Sequence, residues 1–269
     1  MNKLVVQIQT FDGCNASCYK CPTPFLYHSY KPIDDDLFVK IVAQLYNYES
    51  LRIALYLQNE PLLDPLLFKR AKFLKKVFGS RVELEISTNC LLLPKYKDQI
   101  IENFDIIILS LQAWNCDIYN RIHRLNIDEV YFNKIISAFE EIKKLKDKQV
   151  HAKQFSPKIL EGKDINDVNA WYPMAYSRAG FLSGDKIIYQ KIKGCRKNKH
   201  HGISILYDGT VILCCMDYLR QAVVGNLNHQ TINEIINSQL YQRYILAVEG
   251  KIETPPDFIC KKCELANEG

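Results

Sequence analysis

Strand-like and helix-like runs alternate through the first two thirds of the chain, and that alternation limits the folds open to it. Lys3–Gln9, Leu51–Leu57, Arg81–Ser87, Asp105–Leu111 and Lys148–Phe155 read as strands. Between them Asp34–Tyr48, Pro65–Phe78, Pro94–Asn103 and Glu129–Lys146 carry apolar residues at helical spacing. Asp34–Asp36 sit where the positive end of the first helix would lie, and Pro94 stands in a first turn. Strands alternating with helices of this length make parallel βα units. Five or six such units predict an α/β fold with a curved sheet, a partial (β/α)6 TIM-like barrel. Chemistry in such folds sits in the loops at the carboxyl ends of the strands.

The last quarter reads differently. Ile203–Leu206 and Val211–Leu213 flank Asp208-Gly209, a two-residue hairpin signal. Thr231 and Glu234 form a capping box, opening a helix with Ile232, Ile235, Ile236 and Leu240 on one face. Pro255-Pro256 then breaks the chain. The division falls into a barrel at 1–190 and a small α+β extension at 191–269.

At 48% apolar and 24% charged residues, a mainly disordered chain is excluded. No apolar run reaches the roughly 18 residues of a membrane span. Met1–Thr10 lacks the apolar core and cleavage site of a signal peptide, so a cytoplasmic protein with no membrane partner is expected. The net charge of +5 is dispersed among acidic neighbours, which predicts no nucleic-acid partner. A basic run, Lys191–Lys199, lies beside Cys195 and could attract an acidic redox partner.

Ten cysteines are many for a chain without a secretory signal, and in a reducing compartment they serve metals or catalysis more often than disulfides. Cys14, Cys18 and Cys21 follow the first strand directly. Thiolates at this spacing can converge on one metal centre. Three cysteines leave one iron of a 4Fe–4S cluster open to an external ligand. Zinc with His28 as a fourth ligand is the alternative.

The segment from Cys14 to Pro22, placed after a first strand, resembles the radical S-adenosylmethionine (SAM) enzymes. The resemblance implies that the open iron chelates the amino and carboxylate groups of SAM. Reductive cleavage of SAM then yields a 5′-deoxyadenosyl radical that takes a substrate hydrogen. In the family the residue before the third cysteine is usually aromatic and packs near adenine. Here it is Lys20, with Tyr19 one position earlier. Leu57-Gln58-Asn59-Glu60-Pro61-Leu62 resembles the family's Gly-Gly-Glu-Pro segment, which implies SAM-ammonium contacts at Asn59 and Glu60. Ser87-Thr88-Asn89 resembles the ribose and carboxylate segment. Ser110, Gln112, Tyr119, Arg121 and Arg124 resemble the serine-rich strand end and the helix after it, which implies SAM contacts at Ser110, Gln112 and Arg124.

Cys195, Cys214, Cys260 and Cys263 could close on a second 4Fe–4S cluster with no open iron, or on a four-cysteine zinc ribbon. The segment resembles the SPASM/twitch extension of radical SAM enzymes, in its shorter twitch form. The resemblance implies an auxiliary 4Fe–4S cluster, with Cys214 as ligand and Cys215 as the spare. The cysteine order is similar to that of the deoxy-scyllo-inosamine dehydrogenases of aminoglycoside biosynthesis. A fully ligated cluster cannot bind substrate but can accept an electron. That suits oxidation of a small, sugar- or aminocyclitol-like molecule. Arg178 and His151 are the candidate base or hydrogen-bond partners, histidine being the easier base. Epimerisation is the rival reading, with an unligated cysteine (Cys90, Cys116 or Cys215) returning a hydrogen atom. Modification of a ribosomally made peptide is a third. Only 13 residues precede Cys14, which argues against a fused leader-binding domain and weakens that third reading. The family implies flavodoxin or ferredoxin as reductant.

Overall fold

The computed structural model describes residues 3–168, 177–182, 188–189, 191–195 and 202–267. Five parallel strands come first: β1 (Leu4–Ile8), β2 (Leu51–Ala54), β3 (Val82–Thr88), β4 (Ile106–Leu109) and β5 (Gln149–Ala152). Between them run α1 (Asp35–Leu45), α2 (Leu67–Phe78), α3 (Leu93–Asn103), α4 (Cys116–His123) and α5 (Glu129–Lys143). β6 (Ile203–Ile205), β7 (Thr210–Ile212), β8 (Val223–Asn226), α6 (Ile232–Ile236) and α7 (Gln239–Val248) complete the chain.

One eight-stranded sheet holds all of this together, in the order β5-β4-β3-β2-β1-β6-β7-β8. β6 lies parallel to β1, with Gln7 opposite Ser204, so the extension continues the sheet. β7 and β8 then add antiparallel to it. The two faces of the sheet differ by composition. Val6, Ile8, Leu84 and Ile86 are fully buried in one core with Phe38, Ile41, Leu45 and Leu74 of the covering helices. The alternate residues Gln7, Arg52, Glu83 and Ser87 are polar and only half-buried. The sheet therefore has an apolar face against the helices and a polar face toward an open interior.

Local signals behave as their chemistry requires. Asp34 caps α1 by accepting from Leu37 N at 3.0 Å, with Asp35 and Asp36 in the first turn. The capping box at Thr231 and Glu234 is complete. Two expectations change. The hairpin loop has three residues, because Leu206 N bonds Thr210 O and Gly209 takes the left-handed φ of 84° that closes such a turn. The helix after the capping box stops at Asn237, and α7 starts afresh from the Ser238 cap, which turns Leu240 out to solvent. No described helix is long and apolar enough to cross a membrane.

Candidate active site

The loop after β1 is fastened at both flanks. Asp12 accepts from His28 Nδ1 at 2.8 Å and from the Ser29 amide and hydroxyl at 2.6 and 2.9 Å. His28 Nε2 donates to Thr23 O at 2.9 Å, so both ring nitrogens are committed and His28 does not serve as a fourth metal ligand. Gly13 has φ 124°, and a Cβ there would stand 2.9 Å from the Tyr30 ring. Further along, Ser17 N and Tyr19 N donate to His123 O and Ile122 O at the end of α4. The Tyr19 ring is covered by the Arg124 guanidinium at 4.2 Å, so these two expected SAM contacts engage each other. Lys20 is half-buried beside them.

Cys14, Cys18 and Cys21 are electrostatic neighbours. Burial, and then the Glu60 carboxylate, push the Cys14 thiol up to about 12. Burial and the other two thiols push Cys18 well above the ordinary range. Three half-buried thiols stand near a buried carboxyl group, and a soft cationic centre is what such a donor set stabilises. Among the described residues no three such side chains close on a point as they would around a single ion. Sequence reasoning missed His123. Its Nδ1 lies 3.1 Å from Cys18 Sγ while Nε2 donates to Leu111 O at 3.2 Å. Burial lowers it to about 4, leaving Nδ1 a bare acceptor toward the thiol.

The ends of β2 and β3 are braced against this loop. Glu60 Oε1 accepts from Leu62 N at 3.1 Å and Thr88 Oγ1 at 2.9 Å, and Oε2 accepts from Asn89 N at 2.8 Å. Burial raises Glu60 to about 7 against the pull of those amides. It ties the two strand ends together beside the cysteine loop. Asn89 Nδ2 donates to Asn15 Oδ1 at 2.8 Å, and its backbone carbonyl accepts from Tyr119 OH at 2.8 Å. Asn59 Nδ2 is buried without a partner, an open donor beside the loop. Ser87 is half-buried on the polar face. Ser110 and Gln112 follow β4, where Ser110 N donates to Thr88 O and Gln112 has a left-handed φ of 54°. Strain at such strand ends is typical of ligand-holding turns.

The second group gathers around the turn Ile259–Lys262. Asn267 Nδ2 folds that turn by donating to Cys260 O and Cys263 O at 3.1 and 2.7 Å. Cys195 adjoins both Cys260 and Cys263, and Cys214 adjoins Cys260. Burial pushes Cys263 up to about 11. The Cys215 thiol is hydrogen-bonded to the Cys214 thiol. The Cys215 carbonyl accepts from Gln58 Nε2 at 3.2 Å, and the residue borders Tyr56 on the polar face of the sheet.

Between the two thiol groups stands Tyr218, beside Cys21, Arg178 and Cys215. Cavities of 130 and 440 Å³ flank it, the first walled by Arg178 and Met216, the second by Gln9 and Gln58. Arg178 and Ala179 both take left-handed φ, 56° and 52°. Ser177 holds them there, its amide and hydroxyl donating to Glu264. An Arg178 Nη donates to Met216 Sδ at 3.3 Å, while its Nε is buried without a partner.

The other catalytic candidates lie elsewhere. His151 is exposed on β5, where its Nε2 accepts from Gln149 at 3.0 Å. Cys116 is buried at the start of α4, its thiol donating to Ile127 O at 3.4 Å. Cys90 is fully buried behind Thr88. Both thiols belong to the apolar core, and neither lines the cavities beside Tyr218.

The sequence matches the radical SAM superfamily over residues 8–151 and the SPASM iron–sulfur cluster-binding domain over residues 195–264. The fold is similar to that of BtrN in complex with AdoMet and 2-DOIA, at 18% identity and a TM-score of 0.71, covering 98% of this chain and 94% of that one. It is also similar to BtrN in an open conformation, at 15% identity, a TM-score of 0.57 and coverage of 93% and 88%. anSMEcpe with AdoMet and the Cp18Cys peptide is similar at 18% identity and 0.57, with coverage of 98% and 88%. No curated protein matches the sequence. SAM and a 4Fe–4S cluster are the cofactors of the first domain, and auxiliary iron–sulfur binding is the property of the second. The chain belongs to the radical SAM superfamily and ends in a SPASM domain.

Proposed function

We propose that the chain is a radical SAM oxidoreductase that dehydrogenates a carbinol carbon of a small sugar- or aminocyclitol-like molecule. Cys14, Cys18 and Cys21 hold the SAM-binding cluster, and Cys195, Cys214, Cys260 and Cys263 hold the auxiliary one. When bound, SAM and the first cluster supply a 5′-deoxyadenosyl radical, and the auxiliary cluster supplies an electron acceptor. The observation that carries the reading is the space around Tyr218: small, walled by both domains, and lined by Arg178. Arg178 is a donor at every nitrogen, so it orients a substrate oxygen. Asn59 and the Asn89 segment offer amide groups to SAM at the braced strand ends. A flavodoxin or ferredoxin serves as reductant.

With Cys214 taken as the ligand, Cys215 is a spare thiol that borders Tyr218, and this supports the epimerase reading. Reconstituted enzyme with SAM, dithionite and a hydroxylated cyclitol separates the two. Dehydrogenation gives a ketone with one SAM consumed per product. Solvent deuterium at an inverted carbon would instead identify an epimerase. Turnover of a serine- or cysteine-containing peptide alone would move the substrate to the peptide class.

A further inference from the structure

The polar face of the sheet carries a buried chain of side chains that the reaction above leaves unused. Glu85 on β3 stands level with Ala54 of β2 and is buried. Tyr56 OH donates to Glu85 Oε1. Arg52 reaches Glu85 Oε2 with Nε and an Nη, each at 2.5 Å. The Arg52 side chain is 33% exposed, so the chain runs from the interior to a group in touch with solvent. At its inner end Tyr56 borders Cys215, which also borders Tyr218.

Burial, and then the Glu85 carboxylate, push the Tyr56 phenol well above its ordinary value, so it stays an intact hydroxyl. Its single hydrogen is committed to Glu85, and a phenol in that state offers only lone pairs to a ligand. Arg178 is the opposite, a donor with no acceptor at Nε. A carbinol hydroxyl has a use for either group, its oxygen accepting from a guanidinium and its hydrogen donating to a phenol lone pair.

We propose that Tyr56 is the proton acceptor for the substrate hydroxyl and that Glu85, paired with Arg52, positions Tyr56 and receives the proton from it. The inference rests on the dehydrogenation reading. The hydrogen atom on carbon leaves to the SAM-derived radical. The substrate O–H bond breaks, and its proton forms a new O–H bond on Tyr56 as the original Tyr56 proton moves to Glu85. The remaining electron passes to the auxiliary iron–sulfur centre, and a carbon–oxygen double bond is left.

The test uses reconstituted enzyme with both clusters, SAM and dithionite, and 2-DOIA, scyllo-inositol and glucosamine as probes. Tyr56→Phe and Glu85→Gln keep the side-chain shape, and iron and sulfide content checks their folding. Both should still cleave SAM, while kcat for the ketone falls about 10²–10³-fold and KM stays within about threefold. Ketone formed at the wild-type rate by both variants overturns the proton path and leaves the functional reading standing. No ketone from any probe with the wild-type enzyme overturns the functional reading and this inference with it. A spectroscopic arm needs no turnover. The ultraviolet resonance Raman difference between wild type and Tyr56→Phe should carry a strong hydrogen-bond-donor signature that Glu85→Gln, whose acceptor is a neutral amide oxygen, weakens. An unchanged signature in Glu85→Gln overturns the inference.

Discussion

Cys14, Cys18 and Cys21 sit within one loop, whereas Cys195, Cys214, Cys260 and Cys263 come from three segments spread over about a quarter of the chain. The first group is shaped locally and then clamped from outside by α4, by Asp12 with His28, and by Glu60 across two strand ends. The second is gathered only when β6 joins β1 and Asn267 closes the last turn. A local loop can leave a corner of its centre free and still be rigid. The difference teaches that the first group is shaped by one loop, as the proposed open cluster requires, and the second by the assembled fold, as the proposed closed cluster requires.

The largest effect should come from replacing Cys14, Cys18 and Cys21 with alanine together. 5′-Deoxyadenosine formation should be abolished, while iron falls from about eight to about four per chain. Nucleoside production by that variant would break the contrast. A sharper cut compares two neighbours. Cys214→Ala should lose the auxiliary iron and Cys215→Ala should keep it, as metal analysis and iron–sulfur absorbance would record. Smaller still is Asn267→Ala, which leaves the Cys260 and Cys263 carbonyls without their donor. The C-terminal segment should lose about 1–3 kcal/mol, read by hydrogen exchange there with the barrel unaffected.

The smallest effect concerns the hairpin. Burial works to raise Asp208, but the Thr210 amide and Arg220 outweigh it and leave the carboxyl below its ordinary value. Its contribution is therefore present above the ordinary carboxylate pKa and lost as pH falls through the folded value. Asp208→Asn should cost about 0.5 kcal/mol near neutral pH by urea melts, fading in acid.

The alternation of strands and helices, the two cysteine groups and the capping box were legible because each is a local pattern. Where the pattern is local but the partner is not, the sequence leaves the partner unnamed. Tyr19 packs under Arg124. Glu60 is reached by Thr88 and Asn89 from the next strand end. His123 has no motif at all, since only the packing of α4 on the first loop puts it against Cys18. His151 and Cys116 fit their roles by residue type, but register leaves one exposed on β5 and helix packing buries the other. The pairing of Tyr56 with Glu85 depends on β2 and β3 lying in register, and no spacing in the chain announces it.

The central claim is that Cys14, Cys18 and Cys21 hold a 4Fe–4S cluster whose free iron binds SAM. The direct measurement is electron–nuclear double resonance of reduced, reconstituted enzyme with its four C-terminal cluster cysteines replaced by alanine, in the presence of SAM labelled in its amino nitrogen and carboxylate. Hyperfine coupling from both labels to the remaining cluster is the predicted result. A reduced cluster whose spectrum carries neither coupling, or no cluster at that position, would contradict it.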